Sequence, residues 1–476
     1  MTPTDNNARP GTLGPFLNPR SVALFGSVQE GSFFGPPVII KDLQRWHYAG
    51  DIYPVHPSAA PVYGLKTYPE VSQVPGGIDL AVIMTSWRHV PAILEQCGRK
   101  GVRAAVVVAD GFGETGAEGR IREKELLAIA RRHGIRIIGP NTLGIFNTVD
   151  RFTTMPYEKG YEYTRTGALS IVTQTGMYGP QAVALNEYPF GLNKIIDLGN
   201  MCDVDEIDCL ELLARDPGTE VISLYLEHTR RSDRFLELVR RISLAKPVLC
   251  LKGGRSQEAA GAMASHTGSL AADDLLYEGL FRQTGVIRVE EYKDLLDCAK
   301  PFLCQPPPAG NRLGIITFSG AIGIQCIDAA QSQGLAVGRL SARSSDRLSR
   351  ASGYLGGHPI DLGPAAAAAG PEVFRFYLAG YDALGEDDDI DLIYFNAYAS
   401  DMLRPEYYTG LFEHMRRNDT KPTVMWAYGP SAERVREIMS LAESFGIPSY
   451  PTNQKAILAL GCMHRYAAWR RSRNHA

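Results

Sequence analysis

The feature that most constrains this chain is the recurrence, from end to end, of short runs of consecutive apolar and β-branched residues. "SVALFG", "DIYPV", "DLAVIMT", "AAVVVAD" and "IRIIGP" come first; "ALSIVTQ", "NKIIDLG", "VISLYLE" and "PVLCLKGG" follow; "RLGIITFSG", "LIYFNAY" and "PTVMWAYG" come last. A strand that is apolar on successive residues, rather than on alternate ones, is covered on both faces. Amphipathic patterns such as "VPAILEQCGRKG" lie between the runs and read as helices. Strand–helix alternation of this kind predicts parallel, doubly wound α/β sheets. At roughly 100–200 residues per domain, the 476 residues make room for three consecutive units. The polar stretch "NTVDRFTTMPYEKGYEYTRTG" and the proline run in "CAKPFLCQPPPAGNRLG" separate them. The predicted units are 14–147, 165–300 and 310–466.

Charge and cysteine usage exclude several function classes. A net charge of −3 without a long basic run gives no footprint for nucleic acid. The eight cysteines form no CxxC pair and no zinc spacing, so they read as buried free thiols in a reducing compartment and no metal site is expected. The N-terminus lacks the apolar core of a secretion signal, and no apolar run is long enough to span a bilayer. The sequence is therefore read as that of a cytoplasmic protein, with neither nucleic acid nor membrane as partner.

The first unit opens with a strand, a glycine-containing turn and a helix: "SVALFGSVQEGSFFGPPVIIKDL". Gly26, Ser27, Val28, Gly31 and Gly35 form a loop whose backbone can approach a ligand closely, ahead of a helix N-terminus that favours phosphate. The spacing is not GxGxxG, and a plain tight turn is the alternative. The second strand ends at His56, Pro57 and Ser58, where a dinucleotide fold would hold its ribose with an acid. That counts against a nicotinamide-dependent oxidoreductase.

In the second unit a lone histidine, His266, sits among Ala262, Ala264, Ser265, Thr267, Gly268 and Ser269. Small neighbours leave room for a bulky group on the imidazole, and the following residues resemble a helix start with free N–H donors. A histidine bonded to a loop carbonyl is the alternative. Two further pieces look built for an anion: "VTQTGMYGP", with Thr173, Gln174, Thr175 and Gly176, is a strand entering a helix through small polar residues, and "IDLGNMCDVDE", with Gly199 and Asn200, is another strand end. Glu227 closes a strand and is placed to orient an imidazole, or is an ordinary strand-end acid.

Together "SHTGSLA", "GPNTLGIFN", "DLGNMCDVDEIDCLELLARDPGTEVISLYLE", "KPVLCLKGGRS" and "HPIDLG" resemble the alpha subunit of NDP-forming acyl-CoA synthetases, relatives of succinyl-CoA ligase, from about Phe16 to about Tyr466. The resemblance implies a Rossmann-like CoA-binding domain followed by two succinyl-CoA-ligase-like, flavodoxin-type domains. It implies that the Gly26–Gly35 loop, Pro57 and Ser58 lie at CoA and that His266 is a phosphorylated carrier oriented by Glu227. It places Thr173–Gly176 at the start of a helix aimed at that carrier, and Asn141 and Thr142 beside the acyl site. It further implies ATP or ADP with Mg²⁺ on an ATP-grasp beta subunit, inorganic phosphate, a small carboxylic acid and an α2β2-like hetero-oligomer. No ATP-grasp region is recognised in the sequence, so a separate partner chain is expected. Departures are Ser58 where the family carries lysine, "TQTG" for "SQSG", "TFSGAIG" for "TNxGG" and "HPID" for "NPxD". A CoA-binding subunit that kept the fold without catalysis is the second reading, and the oxidoreductase the third.

Overall fold

The computed structural model describes residues 13–157, 165–176, 188–229, 231–259, 261, 274–401 and 403–474. His266 lies outside the described residues. The chain divides into two compact units, one of residues 1–284 with 288–290, the other of 285–287 with 291–476.

The first sheet holds β1 (Ser21–Phe25), β2 (Asp51–Val55), β3 (Leu80–Ile83), β4 (Ala104–Val107) and β5 (Arg136–Ile138). Their order is β2-β1-β3-β4-β5, with every pairing parallel. β1, β3 and β4 are buried along their whole length, as their uninterrupted apolar runs require. The second sheet holds β6 (Ile145–Asn147), β7 (Phe152–Thr153), β8 (Thr166–Thr173), β9 (Leu192–Asp197), β10 (Val221–Leu226), β11 (Val248–Lys252) and β12 (Ile287–Val289), in the order β12-β11-β10-β8-β9-β6-β7. β8 to β11 pair in parallel. β6 and β7 are antiparallel additions at the edge. The polar stretch that composition marks as a separator thus begins as this hairpin. Its short strands carry too few residues for periodicity to register.

The two sheets of the first unit are joined by ion pairs and backbone bonds. Arg136, opening β5, donates to Asp203 and to Asp208, both at 2.8 Å. Val204 N–H donates to the Ile137 carbonyl and Cys202 N–H to that of Gly139. The segment after β9 therefore runs along the free edge of β5 and satisfies groups that an open edge would leave bare.

The second unit carries β13 (Arg312–Thr317), β14 (Ala336–Val337), β15 (Ile360–Asp361), β16 (Leu392–Tyr398), β17 (Thr423–Tyr428) and β18 (Ser449–Tyr450). The order is β14-β13-β16-β17-β18, with β15 also on β13. This unit begins ahead of the proline run: Lys300, in a short helix over Lys300–Cys304, pairs with Asp297 at 3.0 Å and Glu443 at 3.4 Å. The eight cysteines are free, and all but the half-buried Cys304 are buried.

The histidine of "HPID" has a structural role. β14 covers Arg312 and Leu313 of β13, and β15 covers Ile316 and Thr317, which leaves the Ile315 N–H between them without a strand. His358 Nε2 accepts that N–H at 2.9 Å, so this nitrogen is unprotonated and the ring neutral. Burial pushes its pKa down to about 4, against smaller opposing effects of the Gly338 backbone and Asp387. As pH falls from about 6.5 to about 4, the unfolded chain gains a proton that the native ring refuses, so stability present above that window is lost through it. His358→Asn retains an acceptor without titrating. Denaturant unfolding at pH 7.5 and 5 should show the wild type losing more stability than this variant, and equal losses would refute the assignment.

Candidate functional site

Each sheet reverses its winding direction at one strand, and ligand sites on such sheets open at the carboxyl end of that strand. In the first sheet the strand is β1, flanked by β2 and β3. A cavity of about 630 Å³ opens there, lined by Gly26, Ser27, His56, Pro57, Thr85 and His89 among others. Gly26 has φ of 149°, and a Cβ on it would run into the Met84 carbonyl, so the turn admits only glycine. Val28, Gly31, Gly35 and Ser58 do not line this cavity. Gly31, Gly35 and Ser58 shape its loops instead. Gly31 N–H donates to the Tyr63 hydroxyl at 3.0 Å. Gly35 N–H donates to the Pro156 carbonyl and opens the helix Pro36–Arg45. Ser58 Oγ lies 2.8 Å from His56 Nδ1.

A second cavity, of about 530 Å³, lies where the loops after β3, β4 and β5 meet the ends of β8 and β9. Asn141, Thr142, Gly176, Asp110 and Asp197 line it, with Phe34 and Tyr157 edge to face at 5.1 Å. Met84 and Thr85 line both cavities. A molecule lodged in the first therefore has a short route to a group held in the second.

Asp197, which sequence reasoning did not single out, ties this region together. Its carboxylate accepts the Leu143 N–H at 2.7 Å and the Gly199 N–H at 3.2 Å. Its carbonyl accepts the Thr142 hydroxyl at 2.5 Å. Burial raises its pKa to about 6, opposed by those N–H donors and by Thr142 and reinforced by the charge of Glu227. Gly199 has φ of 53°, and a Cβ there would strike the Pro140 and Asn141 carbonyls. Asn200 N–H donates to Pro140, and its side chain donates to Glu114 at 2.5 Å. Gly199 and Asn200 thus support the Asn141–Thr142 loop from behind and line neither cavity.

Gln174 holds the end of β10. Its carbonyl oxygen accepts the Glu227 N–H at 2.7 Å and the His228 N–H at 3.1 Å, while its amide donates to the His228 carbonyl at 2.9 Å. Thr173 Oγ1 donates to the Thr175 carbonyl at 2.8 Å and accepts the Thr175 N–H at 3.2 Å, which fixes the turn before Gly176. Glu227 is buried and accepts the Tyr225 hydroxyl at 3.2 Å. Lys252, a buried lysine closing the neighbouring strand β11, lies close enough for its charge to be felt by that of Glu227. The "CLKGG" that ends β11 was the available signal for it, as the acid of "DLG" was for Asp197.

The same device recurs in the second unit at "TFSG" and "HPIDLG". Thr317 Oγ1 donates to the Ser319 carbonyl at 2.7 Å and accepts its N–H at 3.0 Å. Asp361 accepts the Gly363 N–H at 2.9 Å. Leu362 N–H donates to Thr317, as Leu198 N–H donates to Thr173, both at 2.8 Å. The altered motif therefore keeps the geometry of the turn.

A family profile described as "CoA binding domain" matches residues 20–148, and one described as "Succinyl-CoA ligase like flavodoxin domain" matches 166–302. The chain is 33% identical over 446 residues to the ADP-forming acetate–CoA ligase II subunit alpha of Pyrococcus furiosus, covering 92% of this chain and 94% of that one. It is 31% identical over 462 residues to the ADP-forming acetate–CoA ligase II of Archaeoglobus fulgidus, covering 96% of this chain but 67% of that longer one. Among solved structures it is similar to the dinucleotide-forming acetyl-coenzyme A synthetase 1 of Ca. Korarchaeum cryptofilum in complex with phosphate and ADP. That match has a TM-score of 0.85 and 27% identity over 98% of this chain and 99% of the other.

The raised pKa of Asp197 has a stability consequence of definite sign. Its proton is bound more tightly in the native state, so the contribution is full below about pH 3.8 and is lost as pH rises through about 6. Asp197→Asn does not titrate. Wild-type stability measured relative to this variant should therefore fall between pH 4 and 6.5 in denaturant titrations; an offset constant across that range would contradict the argument.

Proposed function

This chain belongs to the alpha-subunit family of the NDP-forming acyl-CoA synthetases, which includes the ADP-forming acetate–CoA ligases, and on that premise we propose that it supplies the CoA, acyl and phosphohistidine sites of a reversible acid–thiol ligase. The observation that carries the proposal is the wall of Met84 and Thr85 shared by the two cavities. CoA occupies the first, with its thiol reaching past that wall. The carboxylic acid occupies the second, beside Asn141, Thr142 and Gly176.

In the synthetic direction His266 carries the phosphoryl group. A carboxylate oxygen of the acid attacks its phosphorus, the P–N bond breaks, and an acyl phosphate forms. The CoA sulfur then attacks the acyl carbon, the bond to the phosphate oxygen breaks, and the thiol proton leaves with inorganic phosphate. The protein contributes position and preorganised donors rather than covalent chemistry of its own. Glu227, fixed through its backbone by Gln174, orients the imidazole of His266.

ATP is held by an ATP-grasp partner, and this chain acts as one subunit of a hetero-oligomer. A relative named as a separate alpha subunit, and another whose single chain is about half as long again as the matched stretch, support that division of labour. Magnesium accompanies the nucleotide on the partner; among the described residues no group of three or more His, Cys, Asp or Glu is placed to hold a metal ion. Also among the described residues, no helix is long and apolar enough to cross a membrane.

The purified chain alone should make no acyl-CoA from ATP, acid and CoA, and should do so once the co-purifying partner is restored. Acyl-CoA with labelled phosphate should place an acid-labile, base-stable label on the protein. His266→Ala should abolish that label with CoA affinity, read by calorimetry, almost unchanged. Glu227→Gln should slow labelling by about tenfold or more while the fold is kept. Undiminished label in the His266→Ala protein would sink the proposal.

A further inference from the structure

CoA is a polyanion with a pyrophosphate and a 3′-phosphate, yet among the described residues no lysine or arginine lines the cavity at β1. Its polar walls are Ser27, His56, Glu70, Thr85, His89 and Gln96. Polyanions are held by arginine, lysine and backbone N–H groups, so the highly charged end of the molecule must find cations elsewhere.

A smaller cavity of about 330 Å³ adjoins the first, sharing Glu70 and Gln96 with it, and is otherwise lined by Ser72, Arg99 and Lys100. Gln96, Arg99 and Lys100 lie on the helix Val90–Lys100, whose last turn carries both cations. Arg99 is exposed; its charge is felt by Glu95 one turn back, and its guanidinium remains open to a ligand. Lys100 Nζ donates to the Val74 carbonyl at 2.6 Å, which holds the ammonium against the turn over Val71–Gln73 and leaves two protons unused. Glu70 accepts the Ser72 hydroxyl at 3.2 Å. Its carboxylate repels phosphate and suits a ribose hydroxyl or an adenine amine.

On the reading that the β1 cavity takes CoA, we infer that this adjoining cavity is the site of the 3′-phosphate, with Arg99 as its principal ligand and Lys100 as the second. The adenosine lies along Gln96 and Glu70, and the pantetheine continues past Gly26 toward Met84 and Thr85. A guanidinium pairs with a phosphomonoester through two parallel N–H···O bonds, which gives discrimination as well as affinity.

The test is calorimetry on the full chain with CoA and with 3′-dephospho-CoA, which differ only in that group. The wild type should bind CoA more tightly by about tenfold, a preference that fades with added salt. Arg99→Gln should remove most of the preference while leaving dephospho-CoA affinity unchanged, and Arg99→Lys should restore part of it. Thermal melts establish that the variants are folded. Equal affinities of the wild type for both ligands would overturn the 3′-phosphate site while leaving the CoA reading intact. Equal weakening of both ligands by Arg99→Gln would overturn it as well. Failure of either ligand to bind would instead remove the CoA reading on which the inference rests.

Discussion

The Asp197 carboxylate is buried, and the donors that meet it come from the protein. It takes one N–H from Leu143, in the loop after β5, and one from Gly199, just past its own strand. A buried charge is tolerated only where such donors are in place. The carboxylate therefore fixes the distance between a loop of the first sheet and a strand end of the second. Asn141, Thr142 and Gly176 come together around one cavity because of it. Moving either segment would leave a buried charge without its donors, which costs more than the loss of an ordinary hydrogen bond.

The second unit reproduces that arrangement with different residues. Its switch strand β13 ends in a threonine whose hydroxyl closes a turn on the residue two ahead, and β15 ends in an aspartate that takes a glycine N–H. Phe318 stands where Gln174 stands in the first unit. A phenylalanine side chain has no carbonyl oxygen to receive neighbouring N–H groups, and the direction of bonding is reversed: the Phe318 N–H donates to the Asn396 side chain at 2.8 Å. The turn survives because it depends on the hydroxyl and the aspartate, which both units keep. The polar link to the neighbouring strand is replaceable, because any acceptor at the right distance will serve.

The long strands were legible from sequence because full burial forces consecutive apolar residues, and twelve such runs became strands. The edge hairpin of β6 and β7 was not, since its short strands sit at the start of a polar stretch and stand out by no sustained apolar run. In the site, Gly26, Ser27, Pro57, Asn141, Thr142 and Gly176 reached the cavities. Thr173, Gln174, Gly199 and Asn200 hold the site without facing it. Sequence pattern marks both groups alike, because a residue that supports a loop is as tightly specified as one that lines it. Asp197 and Lys252 escaped notice for the opposite reason. Each closes an apolar strand run, where a lone charge reads simply as the end of the strand rather than as a part of the site.

The charges at the carboxyl edge of the second sheet set the terms on which an anion is held there. Asp197 and Glu227 raise the local negative potential, and burial lowers the pKa of Lys252, the nearby cation. A phosphoryl group brought there, as proposed above, meets two carboxylates and, among the described residues, a single buried lysine, so dipoles add to what that one cation supplies. Backbone N–H groups do this without adding net charge, and they are already oriented before the anion arrives. They also let it leave, because a dipole falls off with distance faster than a charge does. On the proposal that the phosphoryl group is handed on in both directions, weak and preorganised holding is the better compromise, since an arginine paired face to face with the phosphoryl oxygens would deepen the resting state along with the transition state.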